Sequence, residues 1–129
     1  MAGEWQPFVD RQLIGSGQVA QAAIIDRSDG TVLAISPGFE VKSGEAAAIF
    51  NLFKEPSRAF SAGATVNGVK YTVFQATPPS IYSKNGANGA ILFQTGKVVL
   101  IGVYDRTQQP GNAAQAVEKL GYYLLDNGM

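Results

Sequence analysis

The stretch QPGNAAQAVEKLGYYLLDNGM, residues 109–129, carries the clearest structural signal in this sequence and decides what the rest of the chain must supply. Its apolar residues recur at the spacing of one helix face, and they are Ala113, Ala116, Val117, Leu120 and Leu124. We predict a long closing helix that begins after Pro110-Gly111 and stops at Asn127-Gly128. The run YYLL holds more apolar surface than one buried stripe can cover, so part of this helix is expected to face outward.

The N-terminal stretch GEWQPFVD, residues 3–10, contains the only tryptophan of the chain. A helical spacing continues through it, and the residues are Trp5, Phe8, Val9 and Leu13. The glycines of the following IGSGQ segment break this pattern, which predicts a short N-terminal helix. If the two terminal helices are neighbours, Trp5, Phe8, Tyr122 or Tyr123, and Met129 are expected to share a surface groove.

The segments between these helices favour one more helix and a series of strands. Two apolar runs around Asp29-Gly30 predict strands near 19–26 and 31–36. SGEAAAIFNLFKE predicts a second helix with Ser43 as its N-cap and Pro56 as its end. Short hairpins around Asn67-Gly68, the NGANG loop and Thr95-Gly96-Lys97 then predict an antiparallel meander. The fold class is therefore α+β, a central antiparallel sheet with helices on both faces.

Composition limits the possible functions. The 129 residues, 46% hydrophobic and 16% charged, predict one domain over residues 1–129. Ten basic residues balance ten acidic ones, which argues against nucleic acid as a partner. Without histidine or cysteine the chain lacks an imidazole base, a thiolate nucleophile and the preferred ligands of structural zinc. We therefore expect a protein that is not an enzyme, needs no cofactor or metal, and resides in the cytoplasm.

Several motifs together resemble the profilins, above all the amoeboid and protist forms. They are WQPFVD at the start, AAIID before an Asp-Gly hairpin, PGF, the SIY strand, and GVYD followed by QPGNAAQAVEKL. The resemblance covers the full chain and implies a profilin-like sheet, with the terminal helices on one face and smaller helices on the other. It also implies a monomer that binds monomeric actin, regulates actin polymerisation and nucleotide exchange, and binds proline-rich segments of formin-like proteins and acidic phosphoinositides.

The resemblance implies a polyproline site at Trp5, Phe8, Leu33, Tyr123 and Met129. A polyproline II helix is preformed and docks on aromatic rings, so it loses little entropy on binding. Three positions depart from the family pattern. Phe8 replaces a commoner tyrosine, Leu33 stands where tryptophan is typical, and Met129 ends a chain that often ends near an aromatic residue. Another interpretation of Trp5 and Phe8 is that they only clamp the N-terminal helix to the core.

The resemblance places the actin contacts at the start of the last helix and on the adjoining sheet. The matching positions are Arg58, Lys84, Lys97, Gln109, Gly111, Ala114, Gln115, Glu118 and Lys119. Cations there would steer the encounter with an acidic partner, and small residues would allow close approach. For phosphoinositides the implied residues are Lys84, Lys97, Arg106 and Lys119. Each of these cations, taken alone, is better explained as an ordinary solvated side chain.

Two other classes of protein fit a small α/β chain of this composition. An interaction scaffold of the roadblock or longin type would dimerise through sheet edges and would not bind actin. A small-molecule sensor of the PAS type would need an internal cavity. The GSG of IGSGQV lacks the third glycine of a nucleotide-binding loop and is better explained as a helix stop.

Overall fold

The computed structural model describes residues 4–129 and is built on a seven-stranded antiparallel sheet. The strands, in spatial order, are β2 (Val32–Ile35), β1 (Gln21–Asp26), β7 (Val98–Tyr104), β6 (Asn88–Gln94), β5 (Ser80–Asn85), β4 (Val69–Thr77) and β3 (Ala64–Val66). The predicted meander is β3 to β7, and β1 joins it by pairing along β7. The predicted domain also includes residues 1–3, which lie outside the described residues.

The turns follow the dipeptides that the sequence offers. In the β3–β4 hairpin, Asn67 has φ of 51° and Gly68 of 77°, the conformation that a tight two-residue turn demands. The NGANG segment is tighter than a flexible loop, because Asn85 pairs with Asn88 and only two residues remain in the turn. The β1–β2 and β6–β7 hairpins also turn where they were predicted.

The central strands are apolar throughout because helices cover both faces of the sheet. All seven residues of β7 are buried, as expected for a strand in the middle of a three-layer structure. On one face lie α1 (Glu45–Lys54) and α2 (Pro56–Ala62), which contribute Ile49, Phe53 and Ala59 to the core. On the other face lie the N-terminal helical segment and α3 (Pro110–Asp126). The predicted fold class is confirmed.

The N-terminal helical segment differs in type from the regular helix expected. It consists of a π-helix, Phe8–Leu13, followed by a 3-10 turn, Ile14–Ser16, and Gly17 ends it with φ of 75°. The N–H of Ile14 donates to the carbonyl of Val9, five residues back. Val9 and Leu13 are fully buried, so the predicted apolar face does contact the sheet.

Of two predictions about the ends of the middle helix, the first was wrong. Ser43 is not the N-cap, because Gly44 occupies that position with φ of 84°. The buried Glu45 carboxylate binds instead to the backbone N–H groups of Lys42, Asn67 and Gly68, at 2.8, 2.8 and 2.7 Å, and ties the helix start to the β3–β4 turn. The predicted end at Pro56 is confirmed, since α1 stops at Lys54 with Glu55 as its C-cap. Pro56 then begins α2, because the first helical position needs no N–H donor.

The last helix approaches the sheet very closely, and two glycines permit this. A β-carbon on Gly102 of β7 would lie 2.5 Å from Val117 Cγ2 of α3. A β-carbon on Gly121 of α3 would lie 2.3 Å from the ring of Phe93 on β6. Each layer therefore inserts a side chain over a glycine of the other, which fixes both the distance and the rotation of α3.

Substitution of Gly121 tests this packing. We expect Gly121→Ala to lower the free energy of unfolding by about 1–3 kcal/mol, because the buried Phe93 ring must move to accept the methyl group. Gly111→Ala, on the same helix, is the matched control, since a β-carbon there meets nothing within 4 Å. Urea unfolding of the two variants should separate them. Equal stability would contradict the close approach.

Candidate functional site

Three aromatic rings line up where the N-terminal helical segment meets α3. The ring centroids of Trp5 and Phe8 are 5.9 Å apart, and those of Phe8 and Tyr123 are 6.2 Å apart. Trp5 and Phe8 are partly buried against the core, whereas Tyr123 is 52% exposed. We call this surface, with Leu33 and Met129, the aromatic groove. Of Tyr122 and Tyr123, it is Tyr123 that belongs to this groove.

Leu33 and Met129 complete the aromatic groove from two other elements. Leu33 on β2 shares an open cavity of about 610 Å³ with Trp5, Arg27, Lys97 and others. Met129 packs against the same hydrophobic cluster as Trp5 and Leu33. The five residues predicted for the polyproline site therefore lie around one surface.

Hydrogen bonds hold Met129 in this position. Its N–H donates to the carbonyl of Leu124 at 2.8 Å. Its carbonyl oxygen accepts from the N–H of Lys97 at 2.9 Å and from the Thr95 hydroxyl at 2.8 Å. The β6–β7 turn thus orders the residue that follows α3.

A second surface lies on the other side of α3, where the helix leaves β4 and β5 uncovered. Phe74 and Tyr82 stack with centroids 6.3 Å apart, and the Lys84 ammonium lies 5.4 Å from the centroid of the Phe74 ring. Glu118 and Tyr122, one turn apart on α3, border these strands. We call this surface the α3–β5 face.

Glu118 fixes the geometry of the α3–β5 face. Its carboxylate accepts hydrogen bonds from the Ser80 hydroxyl at 2.8 Å and from the Tyr82 hydroxyl. Burial, followed by the hydrogen bond and charge of Glu118, raises the pKa of Tyr82 to about 12. The Tyr82 hydroxyl therefore remains a donor at neutral pH, and this link holds α3 to β5.

The structure brings together only some of the residues predicted for actin binding. Lys84 and Glu118 lie on the α3–β5 face, and Gly111 and Ala114 precede Glu118 by seven and four residues on the same side of α3. Gln109 is the N-cap of this helix. The structure thus groups Gly111, Ala114 and Glu118 with Lys84 on the adjoining strand β5.

The other predicted contacts lie elsewhere. Gln115 and Lys119 line a shallow cavity with Gln18, toward the N-terminal helical segment. Arg58 lies on α2, which packs on the opposite face of the sheet, and its Nε is 3.1 Å from a carboxylate oxygen of Glu55. Lys97 borders the aromatic groove. All nine positions predicted for actin binding stay predictions.

The four basic residues predicted for phosphoinositides do not form one patch. Lys84 on β5 pairs with Gly89 on β6, and Gly89 pairs with Tyr104 on β7. Arg106 follows Tyr104 by two residues, so Lys84 and Arg106 lie at the same end of the sheet. Lys97 lies in the turn at the other end of β6, about 17 Å along the strand. Lys119 lies on α3 beside Gln18.

Sequence reasoning missed Phe74, Tyr82 and Tyr122 as residues of the α3–β5 face. Phe74 follows the buried Val73 and points to the opposite face of β4 by the ordinary alternation of a strand, and the register against β5 shifts between Val73 and Gln75. The alternation from Tyr71 to Phe74 is the signal that could have placed Phe74 on the outer face. The ring of Tyr122 lies edge-on to that of Phe93, with centroids 5.1 Å apart. The sequence did not indicate that Tyr122 and Tyr123 lie on different surfaces.

This helix–sheet–helix domain has an aromatic groove on one side of its last helix and an aromatic and charged surface on the other. Such an arrangement is typical of a binding protein with two recognition surfaces. The chain matches the profilin family over residues 3–129. It is 48% identical over 124 residues to profilin-1 of Dictyostelium discoideum, covering 96% of this chain and 98% of that protein. Profilin-P of Physarum polycephalum gives the same identity and coverage. The chain belongs to the profilin family.

Solved structures agree with this assignment. The crystal structure of Acanthamoeba castellanii profilin II superposes with a TM-score of 0.92 at 44% identity, covering 97% of this chain and 99% of the other. More distant profilins share the fold. Mouse profilin IIa in complex with an FH1 double repeat of mDia1 has a TM-score of 0.79 at 21% identity, covering 97% and 99% of the two chains. A LokiProfilin2 complex with rabbit actin has 0.80 at 19%, covering 98% of both.

The family assignment decides between the classes that the sequence left open. It replaces the roadblock or longin scaffold and the PAS sensor, and it agrees with the prediction that the protein is not an enzyme. Among residues 4–129, every helix is too short or too polar to cross a membrane.

The Glu118–Tyr82 bond can be tested by titration. We expect Glu118→Gln to lower the pKa of Tyr82 from about 12 part of the way toward its ordinary value of 10, because burial persists but the negative charge is lost. A pKa raised in the folded state adds stability below pH 10 that is lost as the pH rises to 12. The variant should therefore lose less stability over this interval than the unmodified protein does.

Ultraviolet absorbance of the phenolate follows the titration, and Tyr82→Phe identifies which of the five tyrosines contributes the late step. A Tyr82 titration unchanged by Glu118→Gln would contradict the role of Glu118.

Proposed function

We propose that this protein binds monomeric actin through the α3–β5 face and proline-rich segments of formin-like proteins through the aromatic groove. The main observation behind the proposal is that two adjacent tyrosines lie on different surfaces. Tyr123 contacts Phe8 in the groove, and Tyr122 contacts Phe93 beside the exposed strands. Membership of the profilin family supports it, since profilins have been solved in complex with an FH1 repeat and with actin.

The aromatic groove has the chemistry that a polyproline II helix requires. Its rings offer flat apolar surfaces for pyrrolidine rings, while the Trp5 indole N–H and the Tyr123 hydroxyl are donors for the ligand's free carbonyls. Leu33 adds apolar contact but neither a flat ring nor a donor, so its side of the groove contributes less than a tryptophan would. Recognition therefore relies on Trp5 and Tyr123.

The α3–β5 face suits a larger protein partner. Phe74, at 49% exposed, and Tyr122 provide the aromatic anchors that carry most of the affinity in many interfaces. Lys84 adds a cation that steers an acidic partner such as actin, and the small residues Gly111 and Ala114 allow close approach. Glu118 supports this surface from within, because hydroxyl groups of the same protein occupy its carboxylate.

Binding of one actin monomer would block its addition at one filament end. Preferential binding to a more open nucleotide cleft would speed nucleotide exchange by population shift. A proline-rich segment held in the aromatic groove would raise the effective concentration of the loaded monomer near an elongating protein. These activities belong to a cytoplasmic monomer associated with the cytoskeleton. Phosphoinositide binding by Lys84, Lys97, Arg106 and Lys119 rests on the family resemblance alone.

The two adjacent tyrosines allow one experiment to test both surfaces. We expect Tyr123→Ala to weaken binding of a proline-rich peptide about two- to twelvefold, because an aromatic contact in the groove is lost. Tyr122→Ala should weaken actin-monomer binding by at least about fivefold through loss of an interface anchor. Calorimetry gives the peptide affinity. The slowing of spontaneous polymerisation of pyrene-labelled actin gives the actin affinity.

Each tyrosine variant is the control for the other. Tyr123→Ala should leave actin binding unchanged, and Tyr122→Ala should leave peptide binding unchanged. Unaltered pyrene-actin kinetics with excess unmodified protein would contradict the actin proposal. Absence of peptide binding at millimolar concentration would contradict the proline proposal. If both variants lost both activities, the two-surface assignment would be wrong.

A further inference from the structure

Gln6 connects the N-terminal segment to the edge of the sheet through both ends of its side-chain amide. Its Nε2 donates to the carbonyl of Ile35 at 2.9 Å, and its Oε1 accepts from the N–H of Ile35 at 3.3 Å. Nε2 also donates to Asp10 Oδ1 at 3.0 Å. Ile35 belongs to β2, the edge strand, so this amide pairs with β2 as a neighbouring strand would. It also covers backbone groups that an edge strand leaves open.

This connection lies between two parts of the aromatic groove. Trp5 directly precedes Gln6, and Leu33 lies two residues before Ile35 on β2. Trp5 and Leu33 line the same cavity. On its other side, Trp5 is tied to the helical segment by its contact with Phe8, whose N–H donates to the Trp5 carbonyl at 3.1 Å. Gln6 is thus the hydrogen-bonded link between the backbone that carries Trp5 and the strand that carries Leu33.

We infer that Gln6 is a positioning residue for proline-rich ligands, holding Trp5 at a fixed distance from Leu33 before the ligand arrives. This inference rests on the proposed function of the aromatic groove. A ring already ordered in the free protein loses less freedom on binding, so part of the affinity comes from preorganisation. With only one tryptophan in the chain, the mobility of Trp5 can be measured directly by its fluorescence.

Gln6→Leu removes all three side-chain hydrogen bonds, two to Ile35 and one to Asp10, and keeps a similar side-chain volume. We expect acrylamide to quench Trp5 more strongly in this variant, and a proline-rich peptide to bind about three- to tenfold more weakly. Actin-monomer affinity should not change, because the α3–β5 face lies across α3 from this site. Gln12→Leu is the matched control, since Gln12 is exposed in the same segment and makes no side-chain hydrogen bond within residues 4–129.

A second variant separates positioning from stability. In Gln6→Glu the ionised carboxylate can accept from the Ile35 N–H but cannot donate to the Ile35 carbonyl, and it faces the carboxylate of Asp10. Once protonated, near pH 4, a carboxylic acid can both donate and accept as the amide does. The peptide affinity of this variant, relative to the unmodified protein at each pH, should fall at neutral pH and recover on acidification. A loss of global stability alone would leave the folded population, and hence the affinity, almost unchanged.

The possible results lead to different conclusions. Weaker peptide binding and stronger quenching in Gln6→Leu, with recovery of Gln6→Glu at low pH, would support the inference. Affinity and quenching equal to those of the unmodified protein would overturn it. If the unmodified protein bound no proline-rich peptide, the proposed function of the groove would fail. The quenching of Trp5 would still decide whether Gln6 holds that ring.

Discussion

The close approach of α3 to the sheet is the contact on which the rest of the structure depends. Val117 inserts over Gly102, and Phe93 inserts over Gly121, so each layer fills a gap that the other provides. Such mutual insertion leaves the helix one distance from the sheet and one rotation about its axis, because protein interiors pack without spare volume. The rotation decides which α3 residues are buried. It also decides on which side of the helix each exposed residue lies.

One consequence is that a single helix separates two recognition surfaces. With Leu120 and Leu124 buried, Tyr122 projects toward β5 and Tyr123 toward the N-terminal helical segment. Each of the two surfaces is also stabilised by side-chain hydrogen bonds of its own. Glu118 binds two hydroxyl groups of β5, and Gln6 binds both backbone groups of a residue on β2. The surfaces share a rigid support but have no described residue in common, and we propose that both can be occupied at once.

Much of this could be predicted from the sequence, for physical reasons. The terminal helices followed from apolar spacing, the hairpins from Asn-Gly and Asp-Gly pairs, and the aromatic groove from the family resemblance. Local patterns could not reveal contacts between distant segments. Glu45 has its partners in another hairpin, which is why Ser43 was wrongly predicted as the cap. Phe74 alternates with the buried Val73 and so lies on the outer face of β4, but no local pattern shows that α3 leaves this face uncovered. The distribution of the cations depends on strand order, which no linear pattern contains.

The central claim is that α3 divides two independent surfaces, and simultaneous binding tests it most directly. A proline-rich peptide would be titrated calorimetrically into the free protein and into the protein saturated with monomeric actin. The account predicts one peptide site of the same affinity in both titrations and a complex of protein, actin and peptide. Loss of peptide binding in the presence of actin, or displacement of actin by the peptide, would contradict it.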